Sequence, residues 1–262
     1  MIDLRKAKES FAQYVKAYDP SDEQIALKIQ HTYYVMENSM LIAQALQLED
    51  EQVKLAGLIG LLHDIGRFEQ VRRYHTFHDA DSINHAACSV EVLKNEQFLR
   101  SFIEDTTYDE LIYTAIYEHN RYQITPCLPK ETELHAKLIR DSDKLDIYRV
   151  AISNSCASVF MVEEIEMETS LITPVIYEDF LHHQSIQASK RKTPADRLLS
   201  HVAFLFDMNF DCTMQFAKER NLLPALFQHF TFLNPDTIEK MIACETSALT
   251  YIDKHIKRYA DL

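Results

Sequence analysis

Apolar positions recur at helical spacing along most of the chain. Between residues 31 and 46, Tyr34, Val35, Leu41, Ile42, Ala45 and Leu46 form one stripe at i, i+1, i+7, i+8, i+11 and i+12. Stretches 4–18, 52–65, 82–99, 108–118, 132–152, 195–208 and 235–258 carry the same period. Helix-start signals precede several of them. Ser21 stands three residues before Gln24, and Thr107 three before Glu110, both at capping-box spacing. Thr193-Pro194 and Asn234-Pro235 each put a cap residue before a proline at the first helical position. No segment alternates polar and apolar residues long enough to predict a strand. The pattern predicts an all-α chain of roughly nine or ten helices. The predicted loops are 66–81, 120–131 and 169–193. The last of these, with Thr173-Pro174 and the basic run Lys190-Arg191-Lys192, is the best point for a division.

Composition strengthens the helical reading. Average glycine usage of about 7% would give roughly 18 glycines, yet the chain has 3 in 262 residues. Tight hairpins and phosphate-cradling loops lean on glycine for positive φ and close backbone approach, so Rossmann, P-loop and β-barrel architectures are not expected. The net charge of −13 repels polyanions. It predicts no long nucleic acid and no anionic membrane among the partners. The longest apolar run, Leu55 to Leu62, is far short of a membrane span. Residues 1–10 are charged and offer no signal-peptide core. Five scattered cysteines without a CxxC pair read as reduced thiols. A cytoplasmic location is expected.

Chemistry concentrates in one region. Six of the twelve histidines (His31, His63, His75, His78, His85 and His119) lie between positions 31 and 119. All three glycines, Gly57, Gly60 and Gly66, fall within ten residues around the doublet His63-Asp64. Gly57 and Gly60 are expected where another helix comes close, and Gly66 is expected to end the helix after the doublet. A loosening helix end can turn two adjacent side chains toward one ion. Imidazole nitrogen with carboxylate oxygen suits zinc, iron or manganese. The doublet closes the apolar stretch Leu58-Ile59-Gly60-Leu61-Leu62. His31 opens a helix upstream of it, and Asp143 sits in a later apolar helix, in Ile139-Arg140-Asp141-Ser142-Asp143-Lys144-Leu145.

The histidine, the later His-Asp doublet and the distant aspartate together resemble the HD-domain metal-dependent phosphohydrolase superfamily, over about residues 25–150. The resemblance implies an all-helical HD-type bundle. On that reading residues 1–262 form one domain, with a metal-binding core at about 22–150 and a helical extension at about 151–262. It also implies a metal held by His31, His63, Asp64 and Asp143. His85 and His119 fall where the binuclear, HD-GYP-like branch keeps ligands for a second metal, with Asp64 bridging. No Gly-Tyr-Pro follows His119; residues 120–130 read Asn-Arg-Tyr-Gln-Ile-Thr-Pro-Cys-Leu-Pro-Lys.

The activity so implied is hydrolysis of a small phosphate ester or nucleotide, as a phosphomonoesterase or phosphodiesterase, by a metal-activated hydroxide. One or two ions of Mn, Fe or Zn would serve. Asp64 and Arg67 are the candidate catalytic residues, Arg67 as a fork for phosphoryl oxygens. Arg72, Arg73, Lys144 and Arg149 are further cationic candidates. Asp141 and Glu118 could orient ligand imidazoles. His75 and His78 read either as loop surface or as pocket lining. A mononuclear nucleotidase, a di-iron oxygenase and a non-catalytic ligand sensor remain open alternatives.

Overall fold

The computed structural model describes the backbone of residues 1–260 and the side chains through Ile256. Among the described residues there are fourteen α-helices, four short 3₁₀ segments and no strand. By backbone packing the chain divides into two compact units, Met1–Asp143 and a second beginning at Lys144.

The first unit holds α1 (Leu4–Val15), α2 (Glu23–Ala45), α3 (Asp50–Leu62), α4 (Ile65–Tyr74), α5 (His85–Lys94) and α6 (Asp109–Glu118). It ends within α7 (Lys130–Ser153). α3 organises it. Every residue from Leu55 to Leu62 is buried, so this helix is apolar all round and lies at the centre of the core. Phe11, Val35, Met36, Phe68, Ile112 and Ile116 pack in the same cluster. A central helix carries whatever follows it into the interior, and here that is His63-Asp64.

Two glycines fix the neighbours of α3 and α4. A Cβ on Gly60 would lie 2.8 Å from Met36 Cα, so α2 runs against α3 at backbone distance. Gly66 does not end a helix, as expected, but sits in the first turn of α4, with no positive φ. A Cβ there would overlap the backbone of α5 at Ser89, and Gly66 N donates to Ser89 Oγ at 3.0 Å.

The second unit contains α8 (Cys156–Phe160), α9 (Glu164–Glu168), α10 (Pro174–Leu181), α11 (Pro194–Val202), α12 (Asp211–Glu219), α13 (Leu222–His229) and α14 (Pro235–Ala260). Phe160, Ile176, Phe180, Leu198, Leu205, Leu226 and Ile252 are part of its core.

Several expected boundaries shift. The predicted loop 66–81 is helical through Tyr74, and the predicted loop 169–193 contains α10. α2 begins at Glu23, so His31 is interior to it rather than at its start. Its cap is Asp22, whose carboxylate accepts from Gln24 N and Ile25 N; Ser21 instead donates to Asp19. α6 follows Tyr108 without a side-chain cap. Thr193 does close a capping box with Asp196, and Asn234 accepts from Asp236 N and Thr237 N.

Candidate metal centre

α3 stops at Leu62 and α4 starts at Ile65, so the doublet occupies the break between two helices. The end of a helix leaves its last carbonyls without partners. His63 Nδ1 meets one of them, Gly60 O, at 2.8 Å. His119, just past the end of α6, does the same with Ile116 O at 2.6 Å. His85 is the first residue of α5, and its Nδ1 lies 2.6 Å from Asp79 Oδ2. Each of these oxygens can only accept, so each imidazole carries its proton on Nδ1 and turns a bare Nε2 inward.

The inward atoms form two groups that share Asp64. Asp64 Oδ2 lies 3.8 Å from His31 Nε2 and 3.5 Å from His63 Nε2. Asp143 Oδ1 joins that group, 3.1 Å from His31 Nε2 and 3.8 Å from His63 Nε2. Asp64 Oδ1 faces the other group, 3.7 Å from both His85 Nε2 and His119 Nε2. The doublet thus presents one oxygen to each side. Ligand atoms around one transition-metal ion sit roughly 3–3.6 Å apart at ordinary bond lengths, close to these spacings.

Two observations bear on whether an ion fits. His63 Nε2 and Asp64 Oδ1 are buried without a hydrogen-bond partner, a condition that costs about 1–3 kcal/mol per group unless something else satisfies them. His85 Nε2 and His119 Nε2 face each other at 3.1 Å, and both rings have already given their proton elsewhere. Two opposed lone pairs at that distance call for a cation between them. The donor set fits divalent metal.

Burial, ahead of every other influence, pushes His63 below its usual range and His85 and His119 down to about 4, so these imidazoles are neutral near pH 7. Burial works to raise the Asp64 carboxyl, but Lys28, His63, Arg67 and His85 hold it well below the usual carboxylate range. Asp143 is likewise held low against burial by His31 and the neighbouring imidazoles.

The surroundings depart from expectation at several residues. Arg67 is committed: its Nη1 donates to Gln70 Oε1 at 2.8 Å, Phe77 O at 2.6 Å and Asp79 Oδ1 at 2.9 Å. Its Nη1 thus ties α4 to the loop behind it, while its Nε lies 3.6 Å from Asp64 Oδ1. Arg72 and Arg73 pair with Glu69, Lys144 with Asp207, and Arg149 with the buried Asp146. Glu118 orients no imidazole; its carboxylate accepts from Thr125 N and Oγ1. Asp141 is fully buried. His75 caps α4 in a left-handed conformation with its side chain exposed, and His78 pairs with Asp81 at the surface. Both belong to loop surface.

Sequence reading missed Lys28, Asp79, Asn120 and Arg140. Lys28 precedes His31 by one turn, a spacing that puts both on one helix face. Asp79 accepts from His85, Arg67 and Gln70, and lies 3.5 Å from Asn120 Nδ2. Arg140 is buried, and its Nη1 donates to Glu118 O at 3.2 Å and His119 O at 3.4 Å, anchoring the turn that aims His119. Only Asp79 had a local signal, as an acidic residue shortly before a candidate ligand.

The first unit is all-helical among the described residues and carries buried His and Asp groups that could hold a metal. Residues 29–148 match the HD domain family, so the chain contains an HD domain over that stretch. HD domains bind divalent metals, and the superfamily consists in general of metal-dependent phosphohydrolases. No curated protein and no solved structure matches the chain. Among the described residues no helix is long and apolar enough to cross a membrane.

Proposed function

We propose that this protein is a binuclear metal-dependent phosphohydrolase that acts on a small phosphate ester or nucleotide. The carrying observation is the split presentation of Asp64, one oxygen toward His31 and His63 and the other toward His85 and His119. His31, His63, Asp64 and Asp143 would hold one ion; Asp64, His85 and His119 would hold the second. Two such ions, of Mn, Fe or Zn, supply a water of lowered pKa and neutralise charge on the phosphoryl group.

The chain's own residues prepare this chemistry. Gly60 O, Ile116 O and Asp79 keep three imidazoles in the metal-binding tautomer before any ion arrives. The central helix α3 keeps the doublet away from bulk water. A net charge of −13 favours a small anionic substrate over a long polyanion. Five unpaired thiols support a cytoplasmic location.

Elemental analysis of manganese-loaded protein is expected to give about two equivalents. A panel of phosphomonoesters, nucleotides and cyclic nucleotides is expected to yield a hydrolysed member. Asp64→Asn should abolish both metal retention and turnover while leaving the helical circular dichroism intact. Full activity at one equivalent would instead establish the mononuclear reading. Two bound ions without turnover of any panel member would favour a sensing role.

A further inference from the structure

The shared carboxylate already carries a cation. Lys28 Nζ donates to Asp64 Oδ2 at 2.7 Å, and its side chain is 15% exposed. Its ammonium also lies 5.7 Å from the Phe77 ring. Asp64 Oδ2 is also the oxygen that faces His31 and His63. An ion in that group and the ammonium of Lys28 therefore claim one oxygen atom. Sharing it would set two cations close together in a poorly screened site, which weakens the hold of Asp64 on Nζ. Loading thus leaves Nζ ready to take another acceptor.

The side chain has somewhere to go. Its four-carbon stem is flexible, it retains solvent access, and its ammonium already lies 5.7 Å from the Phe77 ring, which Arg67 also approaches. The neighbouring arginines have no such freedom. Arg67 Nη1 is shared among three acceptors, and Arg72 and Arg73 are engaged by Glu69. Of these four cations, Lys28 is the one that hydrogen-bonds the shared carboxylate; Arg67 Nε lies 3.6 Å from Asp64 Oδ1, and its Nη1 is held by three other acceptors.

We propose that Lys28 is the substrate-anion contact of the loaded centre: its ammonium exchanges Asp64 for an oxygen of the bound phosphoryl group. The proposal rests on the phosphohydrolase reading, and the test separates the two.

The probe is inorganic phosphate, titrated calorimetrically into protein loaded with manganese, for the wild type, Lys28→Gln and Lys28→Arg. Loss of one charge-assisted hydrogen bond should weaken phosphate binding to Lys28→Gln by about tenfold or more. Lys28→Arg should recover much of it. Manganese titrated into metal-free Lys28→Gln should bind more tightly than to the wild type, because no ammonium competes for Asp64 Oδ2. On a turned-over substrate, Lys28→Gln should raise KM more than it lowers kcat. Phosphate binding to Lys28→Gln at wild-type strength overturns the proposal. So does manganese binding weakened by that substitution, which would make Lys28 a brace for the ligands. A wild type that binds no phosphate overturns it as well. If no phosphate ester is hydrolysed but phosphate binding still depends on Lys28, the phosphohydrolase reading falls and the anion contact stands.

Discussion

At the scale of single residues, the centre is set by where protons are parked. Asp79 holds the Nδ1 proton of His85 and also ties Arg67 and Gln70. Asp79→Asn can offer His85 an amide instead of a carboxylate and loosens the ring. Metal titration should find the His85–His119 side weakened by about 10–100-fold, with the His31–His63 side nearly unchanged. Equal weakening at both sides would show that Asp79 supports the whole fold. A second buried imidazole tests burial apart from metal. His135 is fully buried, with Nε2 2.7 Å from Gln52 Oε1, and burial lowers it to about 4. Its unfolded value is about 6.5, so the unfolded chain binds the extra proton in the window between. Stability is therefore present above pH 6.5 and drains away as pH falls toward 4, by up to about 3 kcal/mol from this residue. Denaturant unfolding of metal-free His135→Gln against wild type, at pH 7.5 and pH 5, should show a smaller loss on acidification in the variant.

At the scale of elements, the helix-to-helix break at His63-Asp64 decides the site, and Gly66 decides what reaches it. Because Gly66 lets α5 lie against α4 at Ser89, the start of α5 brings His85 to Asp64. Gly66→Ala should force α5 outward. The expected cost is about 1–3 kcal/mol of stability, read by urea unfolding, with selective loss of the second metal equivalent. A variant that keeps both equivalents would show that α5 can shift without moving His85. These elements also mark what the sequence could reveal. The long amphipathic helices and the doublet were legible because periodicity and a His-Asp pair at the end of an apolar run are local signals; the full set of six candidate ligands came only with the resemblance to the HD-domain superfamily. α4 was hidden, since Arg67, Glu69, Gln70, Arg72 and Arg73 dilute its apolar stripe and the glycine suggested a stop. Lys28 and Arg140 were hidden for a different reason. Their partners, Asp64 and the carbonyls around His119, lie far away in sequence, and only the packing of α2 and α7 brings them together.

At the scale of the whole molecule, all six candidate ligands lie in the first unit, Met1–Asp143. Ion binding should therefore protect that unit's backbone. Hydrogen exchange with and without manganese is expected to slow in α2, α3, α5 and α6, and to stay constant over residues 156–256. A uniform change along the chain would contradict this. A ligand that binds only the folded state adds about 2.7 kcal/mol at a hundredfold excess over Kd, so the melting temperature should rise with manganese concentration.

The ligands come from α2, the α3–α4 break, α5, the end of α6 and α7, and His31 and Asp143 stand at opposite ends of nearly the whole unit. A loaded centre would thus be a cross-link that ties α2 to α7 across most of the unit's sequence. In a cell short of manganese, iron or zinc, the cross-link is missing and the unit opens more often to proteases. Scarcity of the ion then becomes scarcity of the protein itself, so its abundance should follow the metal supply even while its messenger level stays constant.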